Sequence, residues 1–259
     1  MSQIDVPLVS SGFGRTRRVD NWWVQPLFVF LGLSAFIVYA TWAALQGQHF
    51  RFGPYLSPFY SPELFGPAGE GWFGAKPSWM PAWVTAAVLI LWAPGGFRVT
   101  CYYYRGAYYK AFWADPPSCA VGEPRKKYLG ERSFPLIMQN IHRYFLYLAL
   151  LFLVILGRDV WNAFWFAGRL GLGLGTLVLL TNLVLLTCYT LGCHSFRHLV
   201  GGFRDRLAGA ATSKRVYDCA SCLNQRHMLF AWCSLFMVAF ADLYVRLCSM
   251  GVWRDWRIF

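Results

Sequence analysis

Five stretches of this chain, near residues 24–45, 80–101, 135–156, 170–198 and 227–250, are apolar over the length needed to cross a bilayer. A hydrocarbon core takes about 20 apolar residues of helix. The stretches are separated by short polar, basic or Pro/Gly-rich segments, with no internal repeat and no low-complexity linker. The sequence therefore predicts an all-α membrane protein, one bundle of about five transmembrane helices covering residues 1–259, and no soluble globular core. Composition points the same way. Residues are 57% hydrophobic, 19% aromatic and only 14% charged, where a soluble domain carries about 25% charged residues.

The net charge of +12 could be read as a footprint for nucleic acid. Its cations, however, cluster between apolar spans, which is the pattern of membrane topology, and no nucleic-acid partner is expected. Residues 1–20 are polar and end in Arg15, Arg17 and Arg18. The apolar stretch behind them is too long for the core of a cleavable signal, so the first span is expected to remain in the protein. Trp22 and Trp23 sit where an interfacial aromatic belt belongs. The loop after span one carries Gly53-Pro54, Ser57-Pro58 and Ser61-Pro62, turn chemistry that argues against regular structure. A kink is expected in span two at Pro94-Gly95-Gly96. Residues 114–133 form a second loop, with Pro116-Pro117 and the basic run Arg125, Lys126 and Lys127. Gly171, Gly173 and Gly175 suit close helix packing better than phosphate binding.

Cytoplasmic loops of membrane proteins are enriched in Lys and Arg. The N-terminal tail, the loop after span two and the loop after span four hold fifteen of them, from Arg15 to Arg226. The opposite side holds seven: Arg51, Lys76, Arg158, Arg169, Arg246, Arg254 and Arg257. This places the N-terminus in the cytoplasm and the C-terminus outside an inner (plasma) membrane, with the lipid bilayer as the solvent of the spans.

Ionisable groups at membrane depth are costly, so each invites a functional reading. His142 lies near the start of span three, His194 and His198 close span four, and His227 opens span five. All four fall on the cytoplasmic side. His194 and His198 are four apart, so one helix face presents both. Cys193 adjoins them, and Cys219 and Cys222 form a C-x-x-C before His227. Two imidazoles on one iron and two thiolates on the other make the ligand set of a Rieske-type [2Fe–2S] centre. The alternative is one haem b, held by His142 with His198 or His227. Two stacked haems are disfavoured, since the outer side offers only His49. Cys101, Cys188, Cys233 and Cys248 read as small apolar side chains, and Asp242 as a hydrogen-bond partner for a neighbouring helix. Non-redox readings are a membrane scaffold or a transporter. A transporter places polar groups near the bilayer midplane, whereas here they gather at one end.

The stretches Gly96-Phe-Arg-Val-Thr-Cys-Tyr-Tyr-Tyr-Arg105, Gln139-Asn-Ile-His-Arg-Tyr144, Cys193-His-Ser-Phe-Arg-His198 and Leu223-Asn-Gln-Arg-His227 occur in one order along the chain. In this the chain resembles the single membrane-anchor, cytochrome b-like subunit of one class of succinate dehydrogenase/fumarate reductase (complex II). The resemblance covers most of the chain, from span one to span five. It implies partnership with a flavoprotein subunit and an iron–sulfur subunit, electron transport from succinate to quinone, and a membrane-embedded Rieske-type [2Fe–2S] cluster in place of haem. His194 and His198 would be carried over first as ligands, with Cys193, Cys219, Cys222 and His227 competing for the other positions. Where that family's pattern allows a second cysteine, this chain has Phe196. On this reading the chain does no flavin chemistry itself. It docks the iron–sulfur subunit on its basic face and binds quinone beside one redox centre. A quinone carbonyl needs hydrogen-bond donors in an apolar slot, and Tyr104, Arg105, His142 and Arg143 are the candidates at that level.

Overall fold

A computed structural model describes residues 12–66, 71–115, 118, 120–122, 133–134, 136–202 and 211–259. Among the described residues the fold is all-α, apart from two two-residue hairpins. Helix α1 (Val24–Gln46) is followed by the hairpin β1 (Arg51–Phe52) and β2 (Tyr55–Leu56), then α2 (Ala86–Ile90), α3 (Trp92–Val99) and α4 (Tyr102–Phe112). A 3-10 turn at Leu136–Ile141 leads into α5 (His142–Asn162). The second hairpin, β3 (Trp165–Phe166) and β4 (Arg169–Leu170), precedes α6 (Leu174–Leu191), and α7 (His194–Gly201), α8 (Ala211–Gln225) and α9 (His227–Ser249) complete the chain. Two compact units result. One takes residues 1–35 and 98–141, the other residues 36–97 and 142–259.

Among the described residues, four helical stretches are long and apolar enough to cross a membrane: Val24–Gln46, Ile137–Asn162, Leu174–Leu191 and His227–Ser249. The expected span at 80–101 is not one helix. It starts only at Ala86, capped by Thr85, whose hydroxyl accepts from Val88 N at 3.2 Å. It breaks again at Leu91. Pro94 explains that break, because a proline offers no N–H to the carbonyl four residues earlier, here Ile90. Residues 86–99 rise about 21 Å as helix, short of the ~30 Å hydrocarbon core. The expected span at 170–198 is also shortened. α6 ends at Leu191 with Gly192 as its cap, and Cys193 starts the separate short helix α7.

Contacts inside the second unit order its two ends. At one end, Thr85 Oγ1 donates to Ala44 O near the close of α1, and Arg246 of α9 donates to Gln48 O at 2.9 Å. Ser61 donates to Asp159 near the close of α5, and Tyr55 Oη lies 3.4 Å from Thr176 Oγ1 at the start of α6. At the other end Phe97 stacks on His142, where α5 begins, and Tyr189 of α6 stacks on His227, where α9 begins. The segment from Thr85 to Phe97 therefore runs between the two ends of this unit, as α2 and α3 rather than as one long helix.

Loop 47–62 is more regular than its turn residues suggest. Gly53, with φ +54°, closes the first hairpin, and a 3-10 turn at Pro58–Tyr60 is buried. Phe59 and Tyr60 pack with Ala43, Ala44, Ala86 and Ala87. Tyr55 joins a second core of Val160, Val178, Leu179, Tyr244 and Val245. The glycines, expected to pack against another helix, instead make their closest contacts to aromatic rings of the two hairpins. A methyl at Gly175 would lie 2.5 Å from the Tyr55 ring, and one at Gly171 would lie 2.9 Å from Phe166.

Asp242 bonds a neighbouring helix, as expected: Tyr39 of α1 donates to its Oδ2 at 2.6 Å. It also accepts from Ser57 and pairs with Arg246 at 3.2 Å. Arg246 is thus no loop cation. It lies within α9, 1% exposed.

Candidate functional site

The four histidines of interest occupy one end of the second unit, at helix starts that the sequence makes readily. The 3-10 turn feeds His142 into the first turn of α5, Cys193 takes the N-cap of α7, and Arg226 takes that of α9. His142 is buried, stacked on Phe97 with ring centroids 4.7 Å apart, and its Nε2 lies 3.0 Å from Cys193 Sγ. Phe97 meets Tyr189 edge-on at 5.5 Å, and Tyr189 in turn stacks on His227 at 4.9 Å. The result is a continuous set of rings joining the ends of α3, α5, α6 and α9.

His194 and His198 form the second donor pair. One helical turn apart on α7, they bring their Nε2 atoms to 3.0 Å, and both side chains are exposed. Partial burial, then His198 and Arg197, push the His194 imidazole below its usual range. That favours the neutral form a metal requires. Arg197 donates to Tyr217 Oη at 2.9 Å and to Asn224 Oδ1 at 3.3 Å, which fixes α7 against α8. Cys219 and Cys222 share α8 and are exposed.

A Rieske-type centre asks for four ligands in one place. Two imidazole nitrogens already converge on α7, which suits one iron. The other half is not assembled, because among the described residues no three His, Cys, Asp or Glu side chains come together as a metal site. The donors stand instead as two pairs, His194 with His198 and His142 with Cys193. A bis-histidine haem fits less well. One face of His142 is covered by Phe97, its Nε2 faces Cys193, and His227 lies against Tyr189.

The remaining quinone candidates divide between the units. In the first, Tyr104 is buried on α4 and accepts from Arg98 Nη1 at 2.8 Å. Burial pushes its phenol up to about 12, so it stays a neutral donor. Arg105 donates to Gln139 Oε1 and lies 5.0 Å from the centre of the Tyr102 ring. A cavity of about 270 Å³ beside α4 is lined by Gln25, Tyr102, Tyr103 and Lys110, and neither Tyr104 nor Arg105 lines it. In the second unit, Arg143 is exposed and His142 is engaged by Cys193.

Sequence reasoning passed over Arg98, Gln139, Phe97 and Tyr189. Three of them lie inside the quoted motifs, where each stands three to seven residues from a candidate. Tyr189 gave no signal beyond being a tyrosine inside a span. The basic run at 125–127, and Arg132, Arg204 and Arg206, lie outside the described residues.

Comparison with known proteins bears directly on this arrangement. No curated protein matches the chain. A solved structure described as the Mycobacterium smegmatis Sdh1 complex in the apo form contains a chain 40% identical to this one. It superposes with a TM-score of 0.88 over 96% of this chain and 99% of that one. The sequence profile of the family described as actinobacterial succinate dehydrogenase subunit SdhC matches residues 24–251. This chain therefore belongs to the actinobacterial SdhC family, the membrane subunits of succinate dehydrogenase.

Proposed function

We propose that this chain anchors a succinate:quinone oxidoreductase in the inner membrane, docking the iron–sulfur subunit and, through it, the flavoprotein subunit. The near full-length similarity to a chain of the Sdh1 complex carries this reading. The chain contributes position and surroundings. Arg197, Lys214, Arg215 and Arg226 lie on or beside α7 and α8, where a docked subunit would meet a basic face. Association is accelerated when such a face meets an acidic partner.

His194 and His198 are proposed to hold one iron of a membrane [2Fe–2S] centre, with Cys193 the nearest thiolate in the chain and Cys219 and Cys222 as further donors. Imidazole ligation raises the potential of such a centre above that of an all-thiolate cluster, which would favour accepting electrons from the docked subunit. Tyr104 and Arg105 are proposed as the donors to a quinone carbonyl, held by Arg98 and Gln139. The basic face is proposed to lie in the cytoplasm, on the argument from loop charge.

The test is electron paramagnetic resonance of the purified, succinate-reduced complex. A rhombic [2Fe–2S] signal with low average g, lost in the His194→Ala/His198→Ala variant while the three subunits still co-purify, is the expected result. A haem b stoichiometry of one per chain, with that signal unchanged in the variant, would overturn the ligand assignment. For the quinone donors, Tyr104→Phe and Arg105→Gln should each raise the quinone KM about tenfold, as loss of one hydrogen bond of about 1–1.5 kcal/mol predicts. Reduction of a soluble dye by succinate should be unchanged in both. Unchanged quinone kinetics would remove these two residues from the site.

A further inference from the structure

The end of the second unit opposite His142 and His227 carries cations that need a counterpart. Of the seven Lys and Arg assigned there from sequence, three are satisfied within the protein. Arg246 pairs with Asp242, Arg51 with Glu63, and Lys76 Nζ donates to Pro81 O at 2.7 Å. The other four, Arg158, Arg169, Arg254 and Arg257, are all exposed, and among the described residues none has a carboxylate within ion-pair distance. They do not scatter. Arg158 lies in the last turns of α5, Arg169 on the hairpin that follows, and Arg254 and Arg257 on the C-terminal segment.

That segment is bound to the hairpin and to the turn that follows it. Phe259 O accepts from Leu172 N at 3.1 Å, Trp256 O accepts from Leu174 N at 2.9 Å, and Arg257 lies 4.1 Å over the Phe166 ring. Asp255 fixes it from below, accepting from Tyr55 Oη, Tyr244 Oη and Gly175 N at 2.7–2.9 Å. Ala167 and Gly168, both at positive φ, close the hairpin as a tight turn of the kind that suits twisted strands. The surface so formed exposes Trp161, Trp165, Trp256 (73%), Ile258 and Phe259 (67%) between the arginines.

Exposed tryptophan belongs at the level of lipid head groups, and guanidinium groups match phosphate oxygens in a fork. Beside the platform is a cavity of about 330 Å³ lined by Arg51, Tyr55, Asp159, Asn162 and Trp165. Asp159 would repel a phosphate there, but with Asn162 it offers acceptors and donors to hydroxyl groups. We infer that this platform binds an anionic phospholipid with a glycerol head group, its phosphate on the arginines and its glycerol in the cavity.

Native mass spectrometry of the detergent-purified complex, with phosphatidylglycerol, phosphatidate or phosphatidylcholine added, tests this. Phosphatidylglycerol should be retained most, phosphatidate less and phosphatidylcholine least. The Arg169→Gln/Arg254→Gln/Arg257→Gln variant should retain phosphatidylglycerol about a hundredfold more weakly, at roughly fivefold per arginine. Because that variant could fail to assemble, Asn162→Leu is measured beside it, and it should erase the preference for phosphatidylglycerol over phosphatidate. The inference is overturned if the triple variant, assembled, retains the lipid as the parent does. It is equally overturned if Lys214→Gln/Arg215→Gln/Arg226→Gln weakens retention as much, or if cross-linking finds a polypeptide covering the arginines.

Discussion

Arg246 brings a charge into a helix that crosses the membrane, and its tolerability rests on what surrounds the guanidinium. Asp242, one turn earlier, pairs with it, the carbonyls of Ala43 and Gln48 accept from it, and Trp42 presents its ring 5.3 Å away. Removing one partner of such a pair leaves the other buried and uncompensated, at about 3–5 kcal/mol. Arg246→Leu is therefore expected to lower the denaturation midpoint of the assembled complex markedly at a fixed scan rate. Asp242→Leu/Arg246→Leu should recover a substantial part, because two apolar residues leave no orphan charge. A single variant as stable as the parent would show that the network is not structural. The spacing of four was the signal available in the sequence. Counting Arg246 among loop cations missed it, since a rule about loop charge does not distinguish a cation at a helix end from one inside the helix. At the site the same division holds. The His194–His198 pair was legible because it is local, whereas His142 meets Cys193 across 51 residues, a distance only the fold can close.

At the scale of elements, span two shows how packing decides what composition leaves open. Spans 24–45 and 227–250 differ by a residue at most from α1 and α9, since nothing interrupts their apolar runs. The run at 80–101 has the same character but holds Pro94 and two glycines, and the chain breaks one turn before the proline. α8 was not anticipated at all. It lacks apolar length, but Ser213, Tyr217, Ala220 and Asn224 recur at helical spacing along its less exposed face. Gly96 is the close contact that seats α3. A Cβ there would lie 2.2 Å from Phe145 Cε1 on α5. Gly96→Ala should cost about 1–3 kcal/mol through overpacking, read as a lower denaturation midpoint and lower yield of assembled complex. Adding Phe145→Leu should restore much of the loss, while an unaffected Gly96→Ala protein would mean that the two helices do not pack this closely.

For the molecule as a whole, the number of crossings would decide the relation between the two termini. Four long helices alone would return the chain to the side on which it began. The contacts of Thr85 with Ala44 and of Phe97 with His142 run α2 and α3 between the same two ends, and a fifth traverse is the outcome expected from them. Five traverses would put the termini on opposite sides, and the basic residues nominate the N-terminal side as cytoplasmic. The lengths are compatible with this, because a segment too short for the hydrocarbon core is tolerated where protein rather than lipid surrounds it. Ala87, Ala93 and Phe97 of that segment face protein, whereas Leu89 and Trp92 on its other face are exposed. The expected outcome is a fluorescent N-terminal green-fluorescent-protein fusion and an active C-terminal alkaline phosphatase fusion, measured in cells that still assemble the complex. Phosphatase activity at both termini, or at neither, would show that residues 80–101 do not cross. An exchange of the two reporters would keep the five traverses and reverse the orientation, placing α7, α8 and their histidines on the outer face, away from any cytoplasmic source of electrons.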